Sequence, residues 1–204
     1  MRGNIGMTNK GIIIIILCVT IITGILYVFY KNQYKQKNEN NMNENNWSVE
    51  DIKKMCKQDY NKIFEPMEKV IKLDGSYEEY ECSLKNFTES QRLIFAVCKY
   101  LMEVYNGGHD QFFYNSSGIM WKDVLDGLQL IEYKEGYENY RNVIKCFNDE
   151  IPFDRLERQQ YLETKEEELS KLDYYDDVIY NNLNFDNKII DYIYNHPDEF
   201  TYSK

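Results

Sequence analysis

Histidine is nearly missing from this 204-residue sequence; only His109 and His196 occur. Acid–base and nucleophilic catalysis lean heavily on that side chain, so few catalytic constellations are open to the chain. Three prolines and ten glycines leave long helices uninterrupted and argue against turn-rich β architectures. The five cysteines, Cys18, Cys56, Cys82, Cys98 and Cys146, are scattered, and no CxxC pair occurs. That pattern gives neither a zinc ribbon nor a disulfide framework. A basic surplus is also lacking. Lys and Arg number 24 against 34 Asp and Glu, for a net charge of −10, so direct nucleic-acid binding is disfavoured.

What is present suits a folded domain: 43% hydrophobic, 28% charged and 15% aromatic residues, with 19 tyrosines. Tyrosine packs its ring while leaving a hydroxyl for a partner. The charge is uneven. Residues 1–30 carry Arg2 and Lys10 and no acid, whereas residues 149–204 carry 15 acids and 6 bases. Such a surface suits solubility, cations or a basic protein partner.

Gly11 to Tyr30, GIIIIILCVTIITGILYVFY, is free of charge. A helix of about 20 apolar residues spans the hydrocarbon layer of a bilayer. Tyr27, Phe29 and Tyr30 stand at its end, where rings favour the membrane interface. The run exceeds the usual core of a removable signal peptide, and no small-x-small cleavage site follows. The expectation is a single-pass transmembrane helix at 11–30 behind a short flank at 1–10. Positive groups flank it evenly, so they do not orient it. Residues 31–46, KNQYKQKNENNMNENN, read as a polar tether, and 47–204 as the soluble domain.

Within that domain Ser48 with Asp51, and Thr88 with Gln91, have the spacing of capping boxes. The first opens an apolar stripe through Ile52, Cys56, Ile63, Met67 and Val70, broken at Pro66 by a kink or a new first turn. The second opens a helix through Leu93, Val97, Leu101 and Val104 that Asn106-Gly107-Gly108 is expected to stop. Residues 73–86 read as a loop. Further helices are expected at about 119–132, 136–148, 155–171, 174–183 and 186–195. No period-2 strand appears, so the expected class is all-α, one compact multi-helix domain.

The densest pattern is residues 103–118, EVYNGGHDQFFYNSSG. Two Gly/Asn turns bracket an aromatic cluster, in which Phe112 and Phe113 can plug the core. Asn106, Gln111 and Asn115 offer amides to loop backbone. This stretch, with Phe87-Thr88-Glu89 and Arg92 before it, resembles the signature of the DNA-mimic protein family. Leu125–Ile131, Arg155, Leu172-Asp173, Tyr175, Tyr192-Ile193 and Pro197–Phe200 extend the resemblance over about residues 50–200. The signature residues in this chain are Glu103, Asn106, Gly107, Gly108, Gln111, Phe112, Phe113, Asn115 and Gly118. His109-Asp110 departs from the pattern, since an apolar residue is expected first.

The resemblance implies a helical domain that imitates DNA with surface carboxylates and occupies a DNA-binding protein, which would require a cytoplasmic domain. Carboxylates three or four residues apart on a helix lie about 5–6 Å from one another. Glu163, Glu166 and Glu167 have that spacing, as do Asp173, Asp176 and Asp177, and these six form the expected partner-binding face. Lys165 and Lys171 interrupt the rows. The expected partner is therefore a protein with a basic surface. No cofactor and no metal site is indicated, since Asp173, Asp176 and Asp177 lack the glycine and terminal glutamate of a calcium loop. The competing expectation is an enzyme or small-ligand domain centred on 103–118. There His109 is the candidate base beside Asp110, Ser116 and Ser117, against its reading as a solvent-facing turn residue. Asn-Gly-Gly follows a helix rather than a strand, so it lacks the context of a phosphate loop.

Overall fold

A computed structural model describes residues 20–33, 47–182 and 184–202. The chain divides into two units, Met1–Glu44 and Asn45–Lys204. In the first, residues 20–33 form helix α1, and Ile21, Ile25, Leu26, Tyr27, Phe29 and Tyr30 are all exposed on it. Among the described residues no helix is long and apolar enough to cross a membrane. Residues 11–19 of the expected span, and 34–46 of the expected tether, lie outside the described residues.

The second unit is all-helical among its described residues. Its helices are α2 (Val49–Gln58), α3 (Glu65–Glu68), α4 (Tyr77–Leu84), α5 (Glu89–Tyr114), α6 (Trp121–Leu130), α7 (Lys134–Cys146), α8 (Arg155–Glu163), α9 (Glu166–Leu169), α10 (Leu172–Asn182) and α11 (Phe185–Asn195). Three 3-10 turns, Tyr60–Phe64, Ser116–Met120 and Pro197–Phe200, join them.

Helix α5 is the axis of the domain. The turn Ser116–Met120 and α6 fold back along it, and α8 and α10 pack on its C-terminal half. At the other end α2 packs on α11 and the final turn. Ile94, Ala96, Val97, Val104, Phe112 and Phe113 on α5 are fully buried, joined by Val124, Leu128, Val143, Ile144 and Ile189. Burial of a side chain of this size contributes roughly 1.5–3 kcal/mol.

Ser48 with Asp51 and Thr88 with Gln91 form their expected reciprocal caps. A third box, Ser76 with Glu79, opens α4 where a loop was expected. Each cap satisfies amides that a helix start otherwise leaves bare, worth about 1 kcal/mol. Pro66 stands in the first turn of α3, a position where its missing N–H costs nothing. The helix expected over 155–171 is broken in two: Thr164 N turns back to Tyr161 O and Lys165 N to Leu162 O, which ends α8 before α9 begins.

Candidate functional site: the kinked helix and its acidic flank

Asn106-Gly107-Gly108 does not stop α5; the helix breaks there and resumes to Tyr114. Gly108 has φ +76°, in the left-handed region that glycine tolerates, and a Cβ there would be driven into the Asp176 carboxylate. The break leaves the amides of the second half without helical partners. Asp176, from α10, supplies one: its Oδ1 accepts from His109 N at 2.9 Å and also faces His109 Nδ1. A carboxylate offers only acceptors, so Nδ1 carries the proton and Nε2 accepts from the Tyr100 hydroxyl at 2.8 Å. Burial keeps the His109 pKa below its ordinary value, against the pull of Asp176, and raises the Tyr100 phenol well above its own.

Two sequence expectations are therefore corrected. His109 is no solvent-facing turn residue; it is fully buried, and it takes the place where an apolar side chain was expected. Its ring lies 5.6 Å from that of Tyr100, so it packs as an aromatic while both nitrogens are satisfied. Asp176 leaves the expected acidic face, because its side chain turns inward to cap the resumed helix and is 9% exposed.

Glu103 closes the kink from the other side. It stands one helical turn before the break, and its three donors all come after it. Oε2 accepts from Gln111 Nε2 at 2.7 Å and Asn115 Nδ2 at 2.9 Å; Oε1 accepts from Ser117 Oγ at 2.9 Å. Phe112 and Phe113 go into the core beneath this clasp, edge-on to one another. Asn106 is exposed.

Arg158 holds the far end. Fully buried, it donates to Phe113 O (2.6 Å), Phe153 O (2.7 Å), Asn115 O (2.8 Å) and Pro152 O (3.2 Å), and Gly118 makes room for it. Burial first, then the neighbouring charge of Arg155, lower its pKa to about 10, so it remains a cation at neutral pH. Arg155, which the resemblance had singled out, is exposed and meets Asp74 at 3.3 Å. The signal for Arg158 was its position four residues before the buried Leu162, on the inward stripe of α8.

The acidic residues divide. Glu163, Glu166, Glu167, Asp173 and Asp177 are exposed. Lys171 pairs with Glu167 at 3.0 Å, and Lys165 with Glu168 at 3.2 Å, so the two lysines do interrupt the charge. Among the described residues no base pairs with Glu163, Glu166, Asp173 or Asp177. Because α8 and α9 are separate, Glu163 does not share one helical face with Glu166 and Glu167, and their spacing of three and four does not make a row. Asp173 and Asp177 do lie one turn apart on α10. The fold adds Asp110 to this flank. Desolvation and then the charges of Asp176 and Asp173 push its pKa up to about 6, which places the signature stretch and the acidic helix in one electrostatic neighbourhood.

The family model for DMP19-like proteins matches residues 85–196, more than half of the chain. The chain belongs to the DMP19-like family. This is the DNA-mimic family that the 103–118 signature resembles, and the matched stretch runs from just before α5 to the end of α11. No curated protein and no solved structure matches the chain. Most of the DMP19-like signature is thus accounted for by the build of the kink: Glu103, Gln111 and Asn115 clasp it, Gly108 allows it, and Phe112, Phe113 and Gly118 fit beneath it. Among the described residues no group of His, Cys, Asp and Glu is disposed to hold a metal ion.

Proposed function

We propose that the domain is an acidic interaction module that occupies a basic, DNA-binding protein, with its carboxylates standing in for phosphates. The observation that carries this reading is the set of exposed carboxylates with no partner base among the described residues, Glu163, Glu166, Asp173 and Asp177, in a segment whose acids outnumber its bases 15 to 6. Exposed charge that no neighbouring base neutralises is available to steer a cationic partner. Membership of the DMP19-like family supports the same partner class. The full burial of His109, with both ring nitrogens engaged, supports a structural role for it over that of a general base.

The uncharged run 11–30 is read as a membrane anchor, and the apolar, exposed side chains of α1 among the described residues support it. In this reading the acidic domain lies on the cytoplasmic side, so that a tag on Lys204 is shielded from protease in intact cells. The interaction is tested by displacement. Proteins from the source cells are loaded on DNA-cellulose and washed with the full chain or with a variant carrying Glu163→Gln, Glu166→Gln, Asp173→Asn and Asp177→Asn. The reading expects the native chain to release a basic protein that the variant leaves bound. Equal release by both, or release of nothing, would refute it.

A further inference from the structure

A groove of about 380 Å³ runs between the turn Tyr60–Phe64, the first half of α5 and the start of α11. Its floor is apolar, with Phe64, Phe95 and Leu101 buried, while Met102 and Tyr105 stand 48% and 54% exposed along one wall. Apolar side chains exposed beside a concave apolar floor are the lining expected of a binding groove. The groove is also charged. Asp186, exposed on the first turn of α11, accepts from the Tyr60 hydroxyl at 2.6 Å, and among the described residues no base pairs with it. Burial first, and then the nearby Asp186 carboxylate, hold Tyr60, Cys98 and Tyr105 above their ordinary pKa values.

One cation already lies on this floor. Lys99 Nζ stands 5.5 Å from the centre of the Phe95 ring and is tied to Glu68 at that end. The Asp186 end has the same components, ring and carboxylate, and among the described residues no base is paired with that carboxylate. Tyr105 is steadied from behind: its ring lies 6.2 Å from that of Tyr180, whose hydroxyl is fixed on Val104 O at 2.7 Å.

We infer that this groove docks an arginine-bearing segment of the basic protein partner, the guanidinium forking onto Asp186 against Tyr105 and an adjacent aliphatic side chain entering beside Met102. Arginine fits better than lysine because its planar, weakly hydrated head stacks on a ring while donating two parallel hydrogen bonds to one carboxylate. The inference rests on the reading of the domain as a binder of basic proteins and gives that binding a second, sequence-reading contact.

The test uses the full chain labelled with 13C at the methionine methyls. The Met102 signal, assigned with Met102→Leu, is followed while acetyl-Leu-Arg-Leu-amide is added, and again with citrulline in place of arginine. The arginine peptide should give a saturable shift at Met102 that citrulline, Asp186→Asn and Tyr105→Ala each weaken about tenfold. The four-carboxylate variant of α8–α10 should leave it unchanged. The other methionine signals report whether each variant is folded. Equal binding of the citrulline peptide, or an unaltered affinity in Asp186→Asn, overturns the inference. So does the lack of a saturable shift in the millimolar range. A Met102 shift that follows protein concentration without peptide marks an interface between copies of the chain and overturns it as well. DNA-cellulose displacement reads the carboxylates of α8–α10 alone, so either proposal can fail without the other.

Discussion

Arg158→Met removes a cation that binds the end of the kinked helix to α8. The native guanidinium is fully buried and donates to four carbonyl oxygens at 2.6–3.2 Å, with no carboxylate among them. Hydrogen bonds from a charged donor contribute about 1.5–3 kcal/mol each, and the cost of desolvating the guanidinium offsets a large part of that sum. Methionine fills most of the space but donates nothing. Asn115 O retains a bond from Gly118 N at 3.1 Å, and the carbonyls of Pro152 and Phe153, residues only partly buried, can turn to water. Phe113 O is left worst served. The net loss is about 3–4 kcal/mol, the scale found when a buried charged group is deleted from its partners. For a chain of this size each kcal/mol moves the melting temperature by about 2–4 °C, so thermal unfolding followed by circular dichroism should show a drop of about 6–16 °C. Arg158→Lys should recover less than half, since one ammonium cannot reach carbonyls on both sides. A drop under about 2 °C for Met, or full recovery by Lys, would refute this account of the residue.

Three further predictions concern the kink. Gly108→Ala puts a Cβ at φ +76° against Asp176 and should cost about 2–3 kcal/mol in a thermal melt, with Gly24→Ala, which meets nothing, as the neutral control. Glu103→Gln keeps the shape but leaves one acceptor for three donors, so a loss of about 1–2 kcal/mol is expected by chemical denaturation. Asp110 is raised in the fold, so the native state binds its proton more readily than the unfolded chain and the group destabilises above about pH 6. Asp110→Asn should therefore raise stability at pH 7, by roughly 0.5 kcal/mol after solvent screening, and the gain should vanish as pH falls below about 4.

The helices were legible where capping residues and apolar spacing agreed, as at Thr88–Gln91 with Leu93, Val97 and Val104. They were missed where one signal was passed over: Ser76 and Glu79 form a box as clear as the other two, yet α4 read as a loop. The Gly107-Gly108 break was visible, but its consequence was not. Whether a helix ends or resumes after two glycines depends on what caps the second half, and here the cap is Asp176, 67 residues on. The same long-range contact hid the role of His109. A histidine beside an aspartate in a Gly-rich turn looks exposed until a partner for each nitrogen is found. Spacing along the chain also overstated the acidic rows, because the turn at Thr164 separates Glu163 from Glu166 and Glu167.

The central claim is that exposed carboxylates, not the kink itself, meet the partner. It is tested most directly by measuring the affinity of the captured basic protein for the full chain between 50 and 200 mM salt, native against the four-carboxylate variant. Contacts of this kind are screened over roughly 8–10 Å at physiological salt. The account predicts that native binding weakens about tenfold or more across that range, and that the variant binds weakly with little dependence on salt. Equal affinity and equal salt dependence for the two chains would contradict it.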